Sequence, residues 1–230
     1  MNYLELCNSL HEKTGESGVD LTVVSGLSGY QKKIANYIKN AWIEIQTLHT
    51  TWRFMRHEAL PTIAATAETV DANDWVEANL DISIDEYHKD TFSIYLTATG
   101  ISDETRLTYV PWERWKDYFG IQYDDGTAGR PTHVTIDPSD DTLKFGPVSD
   151  GAYTISFDFN QSPIKLISNA DTPNIAASLH EIIVWRALEM YGHREESKWD
   201  AEEGRRNYGR LLRRLENREL PEVTIGEPLA

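Results

Sequence analysis

The amino-acid sequence predicts an α+β protein in which N-terminal and C-terminal helices pack together into a helical body with an inserted antiparallel β domain. Apolar residues repeat at helical spacing near both ends of the chain, and the middle consists of short β-rich runs separated by turn-forming residues. Because an amphipathic helix must bury its apolar stripe against another element, helices that flank a β region are expected to pack on each other.

The N-terminal segment, residues 1–50, is predicted to hold two helices. The first is short and ends before the Gly15 to Gly18 loop, and the second runs from Ser28, a candidate N-cap, to about His49. The predicted apolar faces consist of Tyr3, Leu6, Cys7 and Leu10 in the first helix, and of Ile34, Tyr37, Ile38, Ala41, Trp42, Ile45 and Leu48 in the second.

The β domain is predicted over residues 51–168, with seven strands. Its β-rich runs are TWRFMRHEAL, PTIAATAETVD, TFSIYLTAT, RLTYVPW, THVTIDP, TLKFG and AYTISFDF. The turn formers between the runs include Pro61, the Asp71 to Asp74 cluster, Gly100, the Pro138 to Asp141 segment and Asp150-Gly151. The last two runs, on either side of Asp150-Gly151, predict a hairpin. A short helical insertion is predicted near 111–119, with its aromatic residues packed inward: Trp112, Trp115, Tyr118 and Phe119.

The C-terminal segment, residues 173–218, is predicted to complete the helical body with two more helices. One runs from Pro173 to Gly192, and the other runs from about Glu195 to Arg218. Their predicted apolar sets are Leu179, Ile182, Ile183, Ala187, Met190 and Tyr191, with Arg186 on the same face, and then Trp199, Tyr208, Leu211, Leu212 and Leu215. Residues 219–230 contain two prolines and a glycine and predict an extended tail.

Composition restricts the function of the chain. A formal charge of −15 repels phosphate and disfavours general nucleic-acid binding. Cys7 is the only cysteine, so no intrachain disulfide can form, in agreement with synthesis in a reducing cytoplasm. Glu5 interrupts the N-terminal region where a secretory signal needs an apolar run, and no apolar stretch reaches about 18 residues, so no export and no membrane span are expected.

No catalytic residue, cofactor site or metal site is predicted, and we expect the protein not to be an enzyme. Seven histidines are present, but none forms the helical His pair of a zinc protease, because the second His after His180-Glu181 would fall at Val184. The acidic pairs at 124–125 and 140–141 are interpreted as turns, since neither continues into a calcium-binding loop. Nucleophile-elbow, Walker and dinucleotide-binding motifs do not occur.

The last predicted helix is rich in arginine. Residues 194–220 hold eight basic and seven acidic residues, a net charge of +1 beside −16 for the rest of the chain. The segment is interpreted as an interface that docks on an acidic neighbour, either another copy of this chain or another protein. This interpretation is preferred to a solvated helix neutralised by pairs such as Glu202 with Arg206, and DNA contact comes third. The candidate interface residues are Arg205, Arg206, Arg210, Arg213, Arg214 and Arg218, together with Val223 and Ile225, which could add a β strand to a neighbour.

Three stretches of the sequence form a recognisable pattern: MNYLELCNSL, SGLSGYQKKIANYIKNAWIEIQTLHTTWRFMR and RPTHVTIDPSDDTLKFGPVSDGAYTISFDFNQSPIKLISNADTPNIAASLHEIIVWRALEMYG. These stretches resemble the adaptor (connector) proteins at the head-to-tail joint of tailed phages. The matching features include the long helix followed by an aromatic strand, the proline-containing crossover and the helix at His180. The segment from about residue 60 to about residue 128 matches none of these features. A more distant similarity is to tail tubular protein A of short-tailed phages.

This resemblance implies a virion structural protein in the neck, between capsid and tail. It implies a homo-oligomeric ring of about twelve copies that binds the portal protein, continues the DNA channel and offers a platform to a tail or nozzle protein. Genomic DNA would pass through the lumen without specific binding. We also expect acidic residues to face the lumen. The resemblance further implies that the C-terminal tail of this chain, residues 219–230, inserts along the portal.

Other functions stay open at this point. The main alternative is a carbohydrate- or receptor-binding β module of a phage tail, whose stacking platforms would be Trp75, Tyr87, Tyr95, Tyr109, Trp112 and Trp115. Such a module should leave several tryptophans exposed, whereas use in the core buries them. Another neck or tail-completion protein is also compatible with the sequence. A cell-wall hydrolase has only the acidic surplus in its favour.

Overall fold

The computed structural model describes residues 1–118 and 128–221. The chain divides into two compact units, a helical unit of Met1–Met55 with Pro163–Ala230 and a β unit of Arg56–Ser162. The α+β class and the packing of N-terminal helices on C-terminal helices are confirmed. The helical unit contains α1 (Tyr3–Thr14), α2 (Gly29–Thr47), α5 (Glu181–Arg194) and α6 (Lys198–Glu219), and the β unit contains α3 (Ala72–Leu80) and α4 (Trp112–Tyr118).

Helix α1 begins at a capping box, in which the Asn2 side chain accepts from the Glu5 backbone N–H and the Glu5 carboxylate accepts from the Asn2 N–H. It ends at Gly15, whose φ of 66° is left-handed and therefore favours glycine. All four predicted apolar residues of this helix are buried. Burial also raises the pKa of the Cys7 thiol to about 12, so the thiol stays protonated and packs as an apolar group.

Helix α2 begins where the sequence indicates, but its capping differs from the prediction. Ser28 has the extended backbone of an N-cap, yet its side chain makes no capping hydrogen bond. The apolar face is buried as predicted except at Tyr37, which is half-buried, and at Leu48, which is exposed just after the helix ends. The following run starts with a 3-10 turn, Arg53–Met55, and becomes a strand only at Arg56, because the rings of Trp52 and Phe54 stack into the helical core.

Helix α5 begins later and ends later than predicted. Residues 173–180 are irregular apart from a 3-10 turn at Ala177–Leu179. Asn174 in this segment donates its side-chain amide to the Phe54 carbonyl, which holds the backbone outside a helix. Gly192 does not end the helix, which continues to Arg194. A Cβ at Gly192 would lie 2.3 Å from the Ala201 nitrogen, so this glycine permits close contact with α6.

The β unit contains ten strands in the residues that the structure describes, three more than predicted. They are β1 (Arg56–Ala59), β2 (Thr62–Ile63), β3 (Thr69–Val70), β4 (Ile84–Tyr87), β5 (Ser93–Leu96), β6 (Thr105–Arg106), β7 (Thr108–Tyr109), β8 (His133–Ile136), β9 (Leu143–Gly146) and β10 (Tyr153–Gln161). Two predicted runs each divide into a pair of two-residue strands, and β4 was not predicted. The acidic cluster predicted as a turn instead starts α3, with Asp71 as N-cap accepting from the Asp74 N–H.

Two sheets form, and their pairing corrects the predicted hairpin. The long strand β10 pairs antiparallel with β1, β2, β4 and β5, and β6 pairs with β5. The second sheet has the order β3-β9-β8-β7, in which β7 and β8 are parallel. Strands β9 and β10 therefore lie in different sheets. The loop that connects β9 and β10 hydrogen-bonds to the segment between β2 and β3, where the Thr66 N–H donates to the Ser149 carbonyl.

Alternating side chains of β10 form the centre of the β-unit core. Ile155, Phe157 and Phe159 are fully buried, and Phe92 packs against Phe157 with ring centroids 5.2 Å apart. In α4, Trp115 is buried as predicted, while Trp112 is half-buried with the Lys116 and Lys144 ammonium groups over its ring. Phe119 and the side chain of Tyr118 lie outside the part of the chain that is described.

Candidate interaction surface on the C-terminal helix

Helix α6 is strongly amphipathic and separates an apolar stripe from a charged one. Ala201, Gly204, Leu211 and Leu215 are buried in the helical unit. The opposite side of the helix is exposed, and we call it the outer face of α6. The helical period of 3.6 residues identifies the residues that lie on it. Its residues are Trp199, Arg206, Arg210, Arg213, Arg214 and Asn217.

All six candidate arginines of α6 are exposed. A shallow surface depression centres on Gly209, whose missing side chain leaves space between its neighbours. The depression is lined by Glu202, Arg205, Arg206, Gly209, Arg210 and Arg213. The structure therefore brings four of the six together, while Arg214 lies on the same outer face and Arg218 lies one turn further on.

The outer face is basic because the only acid in its arginine-rich part is directed elsewhere. Residues 205–218 contain six arginines and one acidic residue, Glu216. The Glu216 carboxylate lies 3.4 Å from Nε2 of His49, which follows α2. Arginines therefore outnumber carboxylates along this part of the helix, which leaves a positive surface suited to an acidic one.

The alternative of a solvated helix neutralised by its own ion pairs gains no support from the described residues. Glu202 and Arg206 form no ion pair there, and neither do Arg205, Arg213 or Arg214. Arg210 donates a hydrogen bond to the Asn207 side chain, and Arg218 pairs with the adjacent Glu219 at 3.1 Å. Most of the arginines thus keep their donors available for a partner.

Arg186 of α5 contrasts with these exposed arginines. Its guanidinium pairs with Glu44 of α2 and with Glu189 of α5, and it lies over the ring of Tyr208, 5.2 Å from the ring centroid. Burial acts to lower the pKa of Arg186, but the hydrogen bonds to the two carboxylates outweigh it and raise the pKa. Arg186 therefore joins α2, α5 and the inner side of α6, which holds the outer face in place.

Trp199 was predicted on the apolar side of α6, and that prediction is wrong. Its side chain is 74% exposed, the most exposed aromatic ring among the large hydrophobic residues of the described chain. Trp199 lies two helical turns before Arg206 and therefore shares its side of the helix. The seven-residue spacing was the sequence signal that would have placed it there. Tryptophan and arginine are the side chains enriched at the energetic centres of protein interfaces.

Other predicted features lie elsewhere or outside the described residues. Val223 and Ile225 belong to the segment beyond residue 221, which is not described. Five of the six aromatic residues considered as sugar platforms are half-buried, and the sixth, Trp115, is buried. Tyr87, one of the half-buried residues, packs on Phe92 and Phe157. Among the described residues, no helix is long and apolar enough to cross a membrane, and no group of three His, Cys, Asp or Glu side chains is arranged to hold a metal ion.

The fold and this surface define an α+β protein whose most distinctive site is a charged helix face suited to contact another macromolecule. The family model of the SU10 adaptor protein matches residues 1–224, and the chain belongs to this family. The match includes residues 60 to 128, which the resemblance seen in the sequence did not cover. No curated protein matches the chain, and the similarity to tail tubular protein A gains no support. Membership identifies a phage adaptor protein and indicates the virion neck as its location.

Proposed function

We propose that this protein is the head-to-tail adaptor that forms a ring between portal and tail, continues the DNA channel and provides the platform on which the tail or nozzle protein docks. The observation that carries the proposal is the exposed arginine row of α6, most of which forms no ion pair with another described residue, in a member of a phage adaptor family. In this proposal the protein acts through geometry and is not an enzyme.

The ring requires a heterologous contact, in which one patch of each subunit meets a different patch of the next and the rotation closes after about twelve copies. The outer face of α6 supplies one such patch, either for a neighbouring subunit or for the portal. Its positive charge would bring it to an acidic partner. In the proposed cycle the protein is made in the host cytoplasm and joins the portal in the virion, without a membrane partner.

Passage of DNA agrees with the overall charge. A ring of subunits with a net charge of −15 each repels the phosphate backbone, so genomic DNA would slide through the lumen without specific binding. The basic groups of α6 would then be occupied by protein contacts and not by DNA.

Negative-stain electron microscopy of the purified protein, alone and with its cognate portal, tests the proposal. We expect rings that cap the portal and share its axis. Reversing charge at three positions of the outer face, Arg210→Glu with Arg213→Glu and Arg214→Glu, should weaken ring assembly or portal docking. A protein that stays monomeric and ignores the portal would contradict the adaptor function.

A matched variant controls for the change in net charge. Lys32, Arg53 and Lys165 are exposed in the same unit, and their replacement by Glu changes the charge by the same amount. This control variant should assemble like the wild type. Equal loss of assembly in both variants would show that net charge, and not the outer face of α6, controls assembly.

A further inference from the structure

The acidity of the chain is concentrated in one of its two units. The β unit, Arg56–Ser162, contains 20 Asp and Glu against seven Lys and Arg, a net charge of −13. The helical unit holds the remaining 17 acidic and 15 basic residues, a net charge of −2. The basic outer face of α6 and the acidic surplus therefore belong to different units.

Within the β unit, residues 68–90 are the most acidic exposed segment that the structure describes. This segment, which we call the acidic α3 surface, includes α3 and β4 and contains eight acidic residues and one basic residue, Lys89. All eight carboxylate residues are exposed: Glu68, Asp71, Asp74, Glu77, Asp81, Asp85, Glu86 and Asp90. None of them forms an ion pair with another described residue.

We propose that the outer face of α6 docks on the acidic α3 surface of a second copy of this chain, and that this contact joins adjacent subunits. The inference rests on the proposed ring, since it names the neighbour's half of the subunit interface. Opposite charges that lack partners within their own chain attract each other across an interface and set its orientation.

The sizes of the two surfaces agree. The guanidinium row from Arg206 to Arg213 covers seven helical steps, about 10 Å, and the nine residues of α3 span about 13 Å. Each surface also offers an exposed apolar side chain beside its charges, Trp199 at the start of α6 and Leu80 at the end of α3, the latter 40% exposed. An apolar contact within a charged rim is the usual composition of a protein interface.

The same charges disfavour contact between like surfaces. Two α6 outer faces repel each other, as do two acidic α3 surfaces, so a dimer in which either surface meets its own copy is disfavoured. In the proposed ring, each subunit presents its outer face to one neighbour and its acidic α3 surface to the other.

A charge-exchange experiment on the full chain tests this contact directly. One variant carries Arg210→Glu, Arg213→Glu and Arg214→Glu on α6, and the other carries Asp74→Lys, Glu77→Lys and Asp85→Lys on the acidic α3 surface. Sedimentation equilibrium at low ionic strength should show self-association of the wild type. The association constant of each variant alone should be lower by at least about tenfold. The equimolar mixture should regain association, because each reversed surface then meets a complementary one.

Circular dichroism and thermal unfolding that match the wild type establish that both variants fold. With folded variants, association of the α3 variant as strong as that of the wild type, a wild type that stays monomeric throughout, or a mixture that fails to recover would each overturn the inference.

Microscopy with the portal separates this inference from the proposed function. If rings form on the portal with the α3 variant but not with the α6 variant, the outer face binds the portal, which overturns the subunit contact and leaves the adaptor function standing. If the mixture associates in solution while the wild type makes no ring on the portal, the subunit contact stands and the adaptor function falls.

Discussion

Asp137 shows how one residue holds a turn of the β unit. The residue is buried directly after β8, and its carboxylate accepts from the Ser139 N–H, from the Ser139 hydroxyl and from the Lys144 ammonium at 2.6 Å. The hydrogen bond from Lys144, followed by those from Ser139, lowers the pKa of Asp137 to about 2. The sequence indicated a turn after this point but did not distinguish Asp137 from the other acids.

Replacing Asp137 by Asn should lower the stability of the β unit in a pH-dependent way. The pKa of Asp137 is lower in the folded chain than its ordinary value of 3.8, so its contribution is fully present above about pH 4 and is lost as pH falls through about 2. Urea unfolding should show a less stable variant at pH 7 and a smaller difference in acid. Asp85→Asn, on an exposed residue, is the control; a pH-independent difference at Asp137 would contradict the assigned ionic role.

At the scale of elements, α5 and α6 are held together by backbone contact at two glycines. A Cβ at Gly192 would lie 2.3 Å from the Ala201 nitrogen, and one at Gly204 would lie 2.5 Å from the Glu189 nitrogen. The contacts move backward along α5 as they move forward along α6, so the two helices run antiparallel. The inner side of α6 is thereby fixed at the distance that leaves its outer face free.

Substitution by alanine tests this close packing. Gly192→Ala and Gly204→Ala should each destabilise the helical unit by about 1–3 kcal/mol, because the added methyl overlaps backbone atoms that cannot move independently. Gly209 lies on α6 like Gly204, but a Cβ added there would have no neighbouring atom within 4 Å. Gly209→Ala should therefore stabilise the helical unit by about 0.5–1 kcal/mol through helix propensity. Urea unfolding curves measure all three, and equal effects at the three glycines would contradict the close contact.

At the scale of the whole molecule, the chain enters and leaves the β unit on adjacent strands. Arg56 at the start of β1 pairs with Asn160 near the end of β10, so the two ends of this unit lie side by side. The unit also has its own apolar core, built around Phe92, Phe157 and Phe159. A unit that has its own hydrophobic core, and whose two chain ends lie close together, is expected to fold independently.

The isolated segment 56–162 should therefore fold without the helices. We expect cooperative thermal unfolding by circular dichroism and dispersed amide signals in its NMR spectrum. Phe157→Ala in the same segment should cost about 3–5 kcal/mol and serves as the control for core packing. Gradual unfolding with exposed hydrophobic surface in the unsubstituted segment would contradict its independence.

The sequence predicted the helical part of the fold well because helix signals are local. The apolar residues of α1 and α2 recur every three or four positions, and this spacing places them on one face of each helix. Strand signals were weaker. The two-residue strands β2, β3, β6 and β7 are too short to show alternation, and the choice of partner for β10 depends on residues about 60 to 100 positions away.

By itself the sequence determined the α+β class, the amphipathic helices at both ends, the arginine-rich segment and the resemblance to phage adaptors. Only the tertiary structure decided which charges are free. It turned Glu216 toward His49 and left Trp199 and the arginines outward, and it showed the acids of residues 68–90 to be exposed without ion partners among the described residues. The physical reason is that charge and helical phase are local properties of a sequence, whereas burial and ion pairing depend on neighbours that only folding brings near.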